Sequence, residues 1–509
     1  MIDGITWRRG LIAIGLSVPL ALGVGYLLAL PFDTASLAML GSLALLIASP
    51  ILLRWHHALL IITWNAAVVF PLSPQPRIWV VFAGISLSIS LLNYILNKKA
   101  NLLFTPSVAW PLLLLALVMA VTARLTSGFG GGEMWGQKRY FSAFTAILGF
   151  FALTAQVIPK HRRMIFSSLF FVAAITSVVP DLLYIGGPAF YFLFSFFQVD
   201  VIATQVLSMD ELVRFAGVAV GAQAVCWLLL MRYGIRGLCD LTNWWRLLLF
   251  LLCLGLSLLG GFRSVVVLTT FVGLAVFLFE GLLRTRYTFI FFVSGVVSLG
   301  LVVGFADRLP LSVQRSLSVL PINFDSRVEH DAAGTTDWRL QIWKVMIPQI
   351  PHYLWLGKGY AYSATDSYLT TEATLRGLAS SYEEILISGN YHSGPLTLII
   401  PFGIFGVLAF AWFCVSGFRI LYRNYRFGDP EIKNVNTFLI SYFSAYLLFF
   451  LSVYGQFDLD LYIFTGVVGF SIALNGGVAK AKTISNASVD ARLEDDSLPA
   501  IRSVASVDS

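Results

Sequence analysis

The sequence predicts an all-α polytopic integral membrane protein with about 12–14 transmembrane helices and one large outer loop. Three observations predict it. Hydrophobic residues make up 58% of the 509 and charged residues 12%. Mean hydropathy is +0.80, well outside the range of soluble domains. Finally, the apolar windows recur at the length a bilayer demands, and basic residues gather between them in alternation. The 41 Phe, 19 Tyr and 13 Trp suit lipid-facing surfaces and interfacial belts. The net charge of +7 belongs to loops that set orientation, so nucleic acid is given no weight as a partner. Cys226, Cys239, Cys253 and Cys414 lie in or near apolar segments without metal-ligand spacing and read as packing residues.

The first apolar run follows Arg8 and Arg9 and is about 20 residues long, a full crossing rather than a signal-peptide core, and it reads as an uncleaved span. Spans begin near Leu11, Leu37, Ala58, Ile78, Val108, Tyr140, Met164, Val213, Leu247, Val265, Tyr287, Leu396, Thr437 and Leu459. The stretch from Tyr184 to Asp200 is broken by Gly-Gly-Pro and reads as interfacial or re-entrant. Residues 1–305 thus form an N-terminal membrane region of about 11 spans and 306–395 a large loop with short helices. Residues 396–479 form a C-terminal region of about three spans, and 480–509 a polar tail expected to be disordered.

Orientation follows from lysine and arginine. With the N-terminus inside, every inner loop is basic: Arg8 and Arg9, Arg54, Lys98 and Lys99, the cluster Lys160, Arg162 and Arg163, and Arg232 and Arg236. Arg284 and Arg286, the group Arg419, Arg423, Arg426 and Lys433, and Lys480 and Lys482 complete the set. Both termini are then cytoplasmic. The outer side receives the long loop, the turn "GGFRS" from Gly260 to Ser264, and six basic residues that this tendency does not explain: Arg77, Arg124, Lys138, Arg139, Arg214 and Arg263.

Gly260 and Gly261 permit a tight reversal and close approach to the backbone. Ser264 is expected to cap the helix from Val265, placing Arg263 beside free N–H groups, a combination that favours phosphate. The alternative is an arginine that snorkels to lipid headgroups. In the outer loop, Thr336 or Asp337 is expected to cap a short helix with Arg339 in its first turn. Trp338, Ile342 and Val345 share one helical face and Leu340, Trp343 and Ile347 another, an apolar surface expected to lie on the membrane. Pro348 and Pro351 end that helix, "GKGY" from Gly357 to Tyr360 makes a turn, and His392 stands just before the next span.

The order "GGFRS", then "DWRLQIWKVMIPQIPHYLWLGKGY", then "YHSGPLTLIIPFGIFGVLAF" resembles the O-antigen ligase and O-antigen polymerase superfamily of bacterial membrane glycosyltransferases. The likeness is clearest from about Leu258 to Phe410 and extends weakly to "RFAGVAVGAQ" at Arg214. It implies a GT-C-like multi-pass enzyme of the bacterial inner membrane with a periplasmic active site. It implies transfer of a glycan from an undecaprenyl-diphosphate-linked donor to an acceptor, in lipopolysaccharide or polysaccharide biosynthesis. It gives functional roles to Arg263, Arg339 and His392.

Such a transfer needs the diphosphate leaving group stabilised, an acceptor hydroxyl positioned and a proton removed. Two guanidiniums supply the first without a metal ion or other cofactor. His392 is assigned as base; otherwise it binds the diphosphate and Asp337, Glu383 or Glu384 is the base. Direct attack inverts the anomeric centre. Arg214, Lys138 and Arg139 are secondary candidates for binding the donor. A lipid A core acceptor, and hence a ligase, is favoured over a polymerase that extends another lipid-linked glycan or an enzyme that glycosylates protein. A transporter or flippase of lipid-linked sugars would show mid-span charges and internal symmetry, which the sequence lacks.

Overall fold

A computed structural model gives the structure of the chain and describes residues 21, 25, 34–71, 75–96, 103–126, 134–197, 214–378 and 383–480. The expected span from Leu11, with Arg8, Arg9, Lys98, Lys99, Lys482 and the polar tail, lies outside the described residues. So do the glycine-rich residues 127–133.

The first part of the chain holds α1 (Thr34–Thr63), α2 (Ile78–Leu96), α3 (Pro106–Leu125), α4 (Gln137–Thr154), α5 (Arg163–Val172) and α6 (Val178–Gly186). Next come α7 (Ala216–Leu238), α8 (Trp245–Ser257), α9 (Arg263–Phe279) and α10 (Arg286–Phe305). The outer loop forms α11 (Leu311–Leu317), α12 (Ser326–Met346), α13 (Ile350–Tyr353), α14 (Ala364–Leu375) and α15 (Glu383–Ser388). The chain ends in α16 (Gly394–Phe427), α17 (Lys433–Ser452) and α18 (Phe457–Asn475). The strands are two-residue pieces, β1 (Met134–Trp135) and β2 (Tyr362–Ser363), paired antiparallel. Nine helices among the described residues are long and apolar enough to cross a membrane, and Trp245–Gly260 and Arg263–Phe279 are shorter apolar ones. The chain is therefore an all-α polytopic membrane protein.

Every expected span from Ile78 onward is helical, but α1 runs from the span expected at Leu37 into the first residues of the one expected at Ala58 and ends at Thr63, so that second span does not form. Pro50 lies inside α1, and a membrane helix tolerates proline within its length. His56 and His57 of this helix are buried: His56 Nδ1 lies 2.9 Å from Ser86 Oγ and His57 Nε2 2.9 Å from the Leu153 carbonyl. The Gly-Gly-Pro stretch leaves the helix at Gly187, at φ +88°, and continues as an exposed 3-10 helix, Pro188–Ser195.

Between helices in lipid, close packing replaces the hydrophobic effect as the main attraction, and small residues allow it. Gly149 of α4 and Gly466 of α18 both lie against the Trp64 indole, and α18 is almost wholly enclosed. Cys226, Cys253 and Cys414 are buried and none of the four cysteines is disulfide-bonded, in keeping with packing roles.

The two ends of this bundle differ in their charges. At one, Arg163 pairs with Asp429 at 3.0 Å, Arg236 bonds the Glu280 carbonyl, Arg423 bonds the Ala479 carbonyl and Arg162 lies over Trp55. These are residues read as inner-loop cations. At the other end stand Arg139, Arg214, Arg263 and the outer-loop helices.

The longest helix, α16, is broken. Gly403 has φ +61° and ψ −162°, and the segment Leu354–Gly359 is wedged against the break. Lys358 N–H donates to the Ile400 carbonyl at 2.7 Å and Gly359 N–H to the Pro401 carbonyl at 3.0 Å, while Ile404 N–H donates to the Leu354 carbonyl at 2.6 Å. These bonds satisfy the backbone groups that the break would leave open, as irregular backbone at membrane depth requires. Gly357 leaves no room for a side chain, since a Cβ there would sit 2.1 Å from the Pro401 oxygen.

Candidate active site

Arg263 opens α9. Its neighbour Gly261 is left-handed at φ +68°, and the helix begins at Arg263 with Phe262 as the residue before it. Ser264 therefore sits inside the first turn and is not the cap, because the helix starts two residues earlier than expected. The Arg263 guanidinium donates to Thr336 Oγ1 of α12 at 3.2 Å.

Helix α12 is longer than the sequence suggested. It begins at Ser326, capped by Asp325, whose carboxylate accepts from Arg327 N–H at 2.9 Å, and nothing before Met346 interrupts it. Thr336 and Asp337 are mid-helix, with the Thr336 hydroxyl bonded back to the Ala332 carbonyl, and Arg339 is well past the first turn. Of the apolar surface expected to lie on a membrane, Trp338, Ile342 and Trp343 pack on protein, and Val345, Leu340 and Ile347 are exposed. Ile342 and Met346 are buried with Tyr391, Leu396 and Ile400, and Trp338 and Trp343 close over them.

Two residues the sequence did not single out join this helix to the turn. Arg315 of α11 is buried; its Nε bonds Asp331 of α12 and its Nη1 bonds the Gly261 carbonyl. Arg214 reaches the same carboxylate at 3.7 Å, with its methylenes against Gly261. Arg339 has Arg315 as a charged neighbour, and Arg263 has Arg339, Arg315 and Asp331. Among the described residues neither Arg263 nor Arg339 has a carboxylate within 4.0 Å. Arg339 lies 5.8 Å from the Tyr454 ring centroid, its Nε is buried without a hydrogen-bond partner, and burial lowers its pKa. Two unit charges 4 Å apart repel by about 4 kcal/mol at an effective dielectric of about 20. Cations gathered this way are costly until an anion joins them.

His392 completes the group. Its backbone is left-handed at φ +50°, a conformation disfavoured outside glycine and characteristic of functional sites. The ring is held 4.9 Å from Trp338 and 5.4 Å from Tyr454, centroid to centroid, and Trp343 Nε1 fixes the preceding residue through the Tyr391 carbonyl at 3.0 Å. Nδ1 is buried with no partner. Burial first, and Arg339 second, lower the imidazole pKa to about 4, so the ring is neutral at pH 7. The other sequence candidates for the base fare differently. Asp337 is exposed, Glu383 is half-buried on α15, and the Glu384 side chain lies outside the described residues.

The structure thus brings Arg263, Arg339, Arg214 and His392 to one end of the bundle around Tyr454, Thr336 and Asp331. Arg139 lies beside this group but is committed elsewhere: it pairs with Asp458 at 2.8 Å and donates to the Ser388 carbonyl at 2.6 Å. Lys138 is exposed on the first turn of α4. Next to Arg214, the start of α7 walls a cavity of about 650 Å³ lined by Trp64, Arg77, Asp181, Gln223, Trp227 and Tyr462 among others.

Residues 247–411 match the family model described as O-Antigen ligase, about a third of the chain, from α8 into α16. The match bears out the resemblance to that superfamily over this region and supports a ligase- or polymerase-type glycosyltransferase that works in a membrane. It contains Arg263, Arg315, Asp331, Arg339 and His392 and leaves out Arg139 and Arg214. No curated protein matches the chain.

Proposed function

We propose that this protein moves a glycan from an undecaprenyl-diphosphate-linked donor to an acceptor hydroxyl, that of a lipid A core, on the periplasmic face of the bacterial inner membrane. Arg263 and Arg339, charged neighbours with no carboxylate within 4.0 Å among the described residues, beside a neutral, half-buried histidine, are the observation that carries this reading. The gathering of Arg162, Arg163, Arg236 and Arg423, all read as inner-loop cations, at the opposite end supports the orientation, with the arginine site outside and both termini in the cytoplasm.

In this reading the donor diphosphate lies across Arg263 and Arg339, with Arg214 and Arg315 behind them. The acceptor oxygen attacks the anomeric carbon as the bond from that carbon to the diphosphate breaks. The electron pair leaves on the diphosphate oxygen, where the guanidiniums hold the new charge. His392 takes the acceptor proton, and the anomeric centre inverts. A dianion beside Arg339 offsets the charge that depresses the imidazole, so substrate binding strengthens the base. The aromatic and polar cavity beside Arg214 offers room for sugar rings.

The test is the surface and lipid-linked glycan profile of a host lacking this gene, complemented with wild type or Arg263→Ala. Long chains on the lipid carrier and a bare core, restored only by wild type, are expected. Single repeats still reaching the core would make the enzyme a polymerase, and glycans missing only from protein would make it a protein glycosyltransferase. An unchanged profile would remove the glycan reading.

A further inference from the structure

Arg139 is a basic residue at the charged end of the bundle, yet both of its terminal guanidinium nitrogens are bonded to protein. Nη2 donates to Asp458 Oδ1 at 2.8 Å, Nη1 to the Ser388 carbonyl at 2.6 Å, and the plane lies 4.1 Å from the centroid of the Tyr360 ring. Asp458 is held in turn, its carbonyl accepting from Ser142 Oγ at 2.9 Å. The side chains are 13% and 3% exposed, so this is a buried ion pair joining the first turns of α4 and α18. A buried pair of this kind adds little net stability over well-packed apolar residues of the same size. Stability alone does not account for it.

What the pair does hold is the run from Ser388 to His392. Gly389, at φ +75°, lies so close that a Cβ would sit 3.0 Å from Arg139 Nη1. Tyr391 is 1% exposed, and its carbonyl is fixed by Trp343. His392 follows in its left-handed conformation, directly ahead of α16. Three residues lie between the one whose carbonyl Arg139 grips and His392, at most about 14 Å of chain, and Tyr391 among them is buried and held by Trp343. We propose that the Arg139–Asp458 pair positions His392, setting where its ring stands between Trp338 and Tyr454, and that Arg139 makes no contact with the donor. The proposal rests on the reading of His392 as the base.

The test compares wild type with the apolar pair Arg139→Met/Asp458→Leu and with Arg139→Lys, which keeps the charge but not the two-pronged reach. Full-length protein in lipid nanodiscs is assayed for melting temperature, affinity for a short-chain prenyl diphosphate and transfer kcat. The rate at which diethyl pyrocarbonate modifies His392 is read by peptide mass spectrometry. Both variants should melt near wild type and bind the prenyl diphosphate within about twofold, with kcat down roughly a hundredfold, as a misplacement of about 1 Å would give. Modification of His392 should quicken. Unchanged modification overturns the proposal. So does a tenfold loss of prenyl diphosphate affinity with kcat retained, which would make Arg139 a ligand, or full activity in the apolar pair. If wild type itself binds no prenyl diphosphate, the functional reading fails, and the His392 modification rates still decide the brace.

Discussion

Two groups of arginines stand at the same end of this bundle and are solved in opposite ways. Arg139 meets one carboxylate, Asp458, at 2.8 Å in a buried and neutral pair. Arg263, Arg339, Arg315 and Arg214 share Asp331, which contacts only the last two. Arg139 has its charge met by that carboxylate, whereas among the described residues Arg263 and Arg339 have no carboxylate within 4.0 Å. Completed pairs hold elements together; cations kept close without an anion mark a place where one arrives.

The comparison breaks most plainly at Arg263 and Arg339. Replacing either with alanine should lower transfer by roughly three orders of magnitude, as losing a donor to a developing oxyanion does. Melting temperature should hold steady or rise, because repulsion is relieved. A fall in melting temperature that accounts for the lost activity would place these arginines with Arg139. Next, His392→Gln should lower kcat by about 10²–10⁴ without weakening prenyl diphosphate binding, the range for a general base. The pH profile sharpens this. An imidazole lowered to about 4 stays neutral through pH 5, so kcat/KM should fall only toward pH 4 and not near the ordinary 6.5. An acid limb near 6.5 would remove His392 as base.

Smaller effects follow. Asp331→Asn removes the one carboxylate that Arg315 and Arg214 share. Prenyl diphosphate should bind about threefold more tightly and unfolding should ease by about 1 kcal/mol, the pair being partly open to solvent. Weaker binding, measured by titration, would mean that Asp331 instead holds the arginines in place. Lys138→Ala should change transfer by less than about twofold, as for an exposed lysine.

Much of this was legible in the sequence. Arg263 and Arg214 stood out because the positive-inside tendency does not explain cations on an outer boundary, and Arg339 and His392 through the resemblance of the loop that carries them. Arg315 was not legible. In "SVQRSL" it is one cation within a hydrophilic loop, and only the fold carries it beneath the Gly261 carbonyl. The pairing of Arg139 was not legible either, since a sequence does not show that Asp458, far along the chain, will meet it. Hydropathy located the spans but not their neighbours. Arg286–Arg308 is the more apolar of two spans at 2.4 against 1.6, yet 6% of its window is buried against 83% for α18. The continuous run of α1 and the early start of α12 share a cause. Polar residues within a helix look like boundaries when no partner is visible, and His57 finds its partner in Leu153.

The break in α16 bears on how such a chain is made. At 1.5 Å per residue the part after Gly403 is about 37 Å long and suffices to cross a bilayer alone, while the nine residues before it span only about 13 Å. Ribosomal synthesis delivers Leu354–Gly359 well before either part. Insertion of the long part therefore has to precede the docking that closes the break. His392 stands two residues ahead of α16, so the docking that closes the break also fixes the short helical piece that follows it.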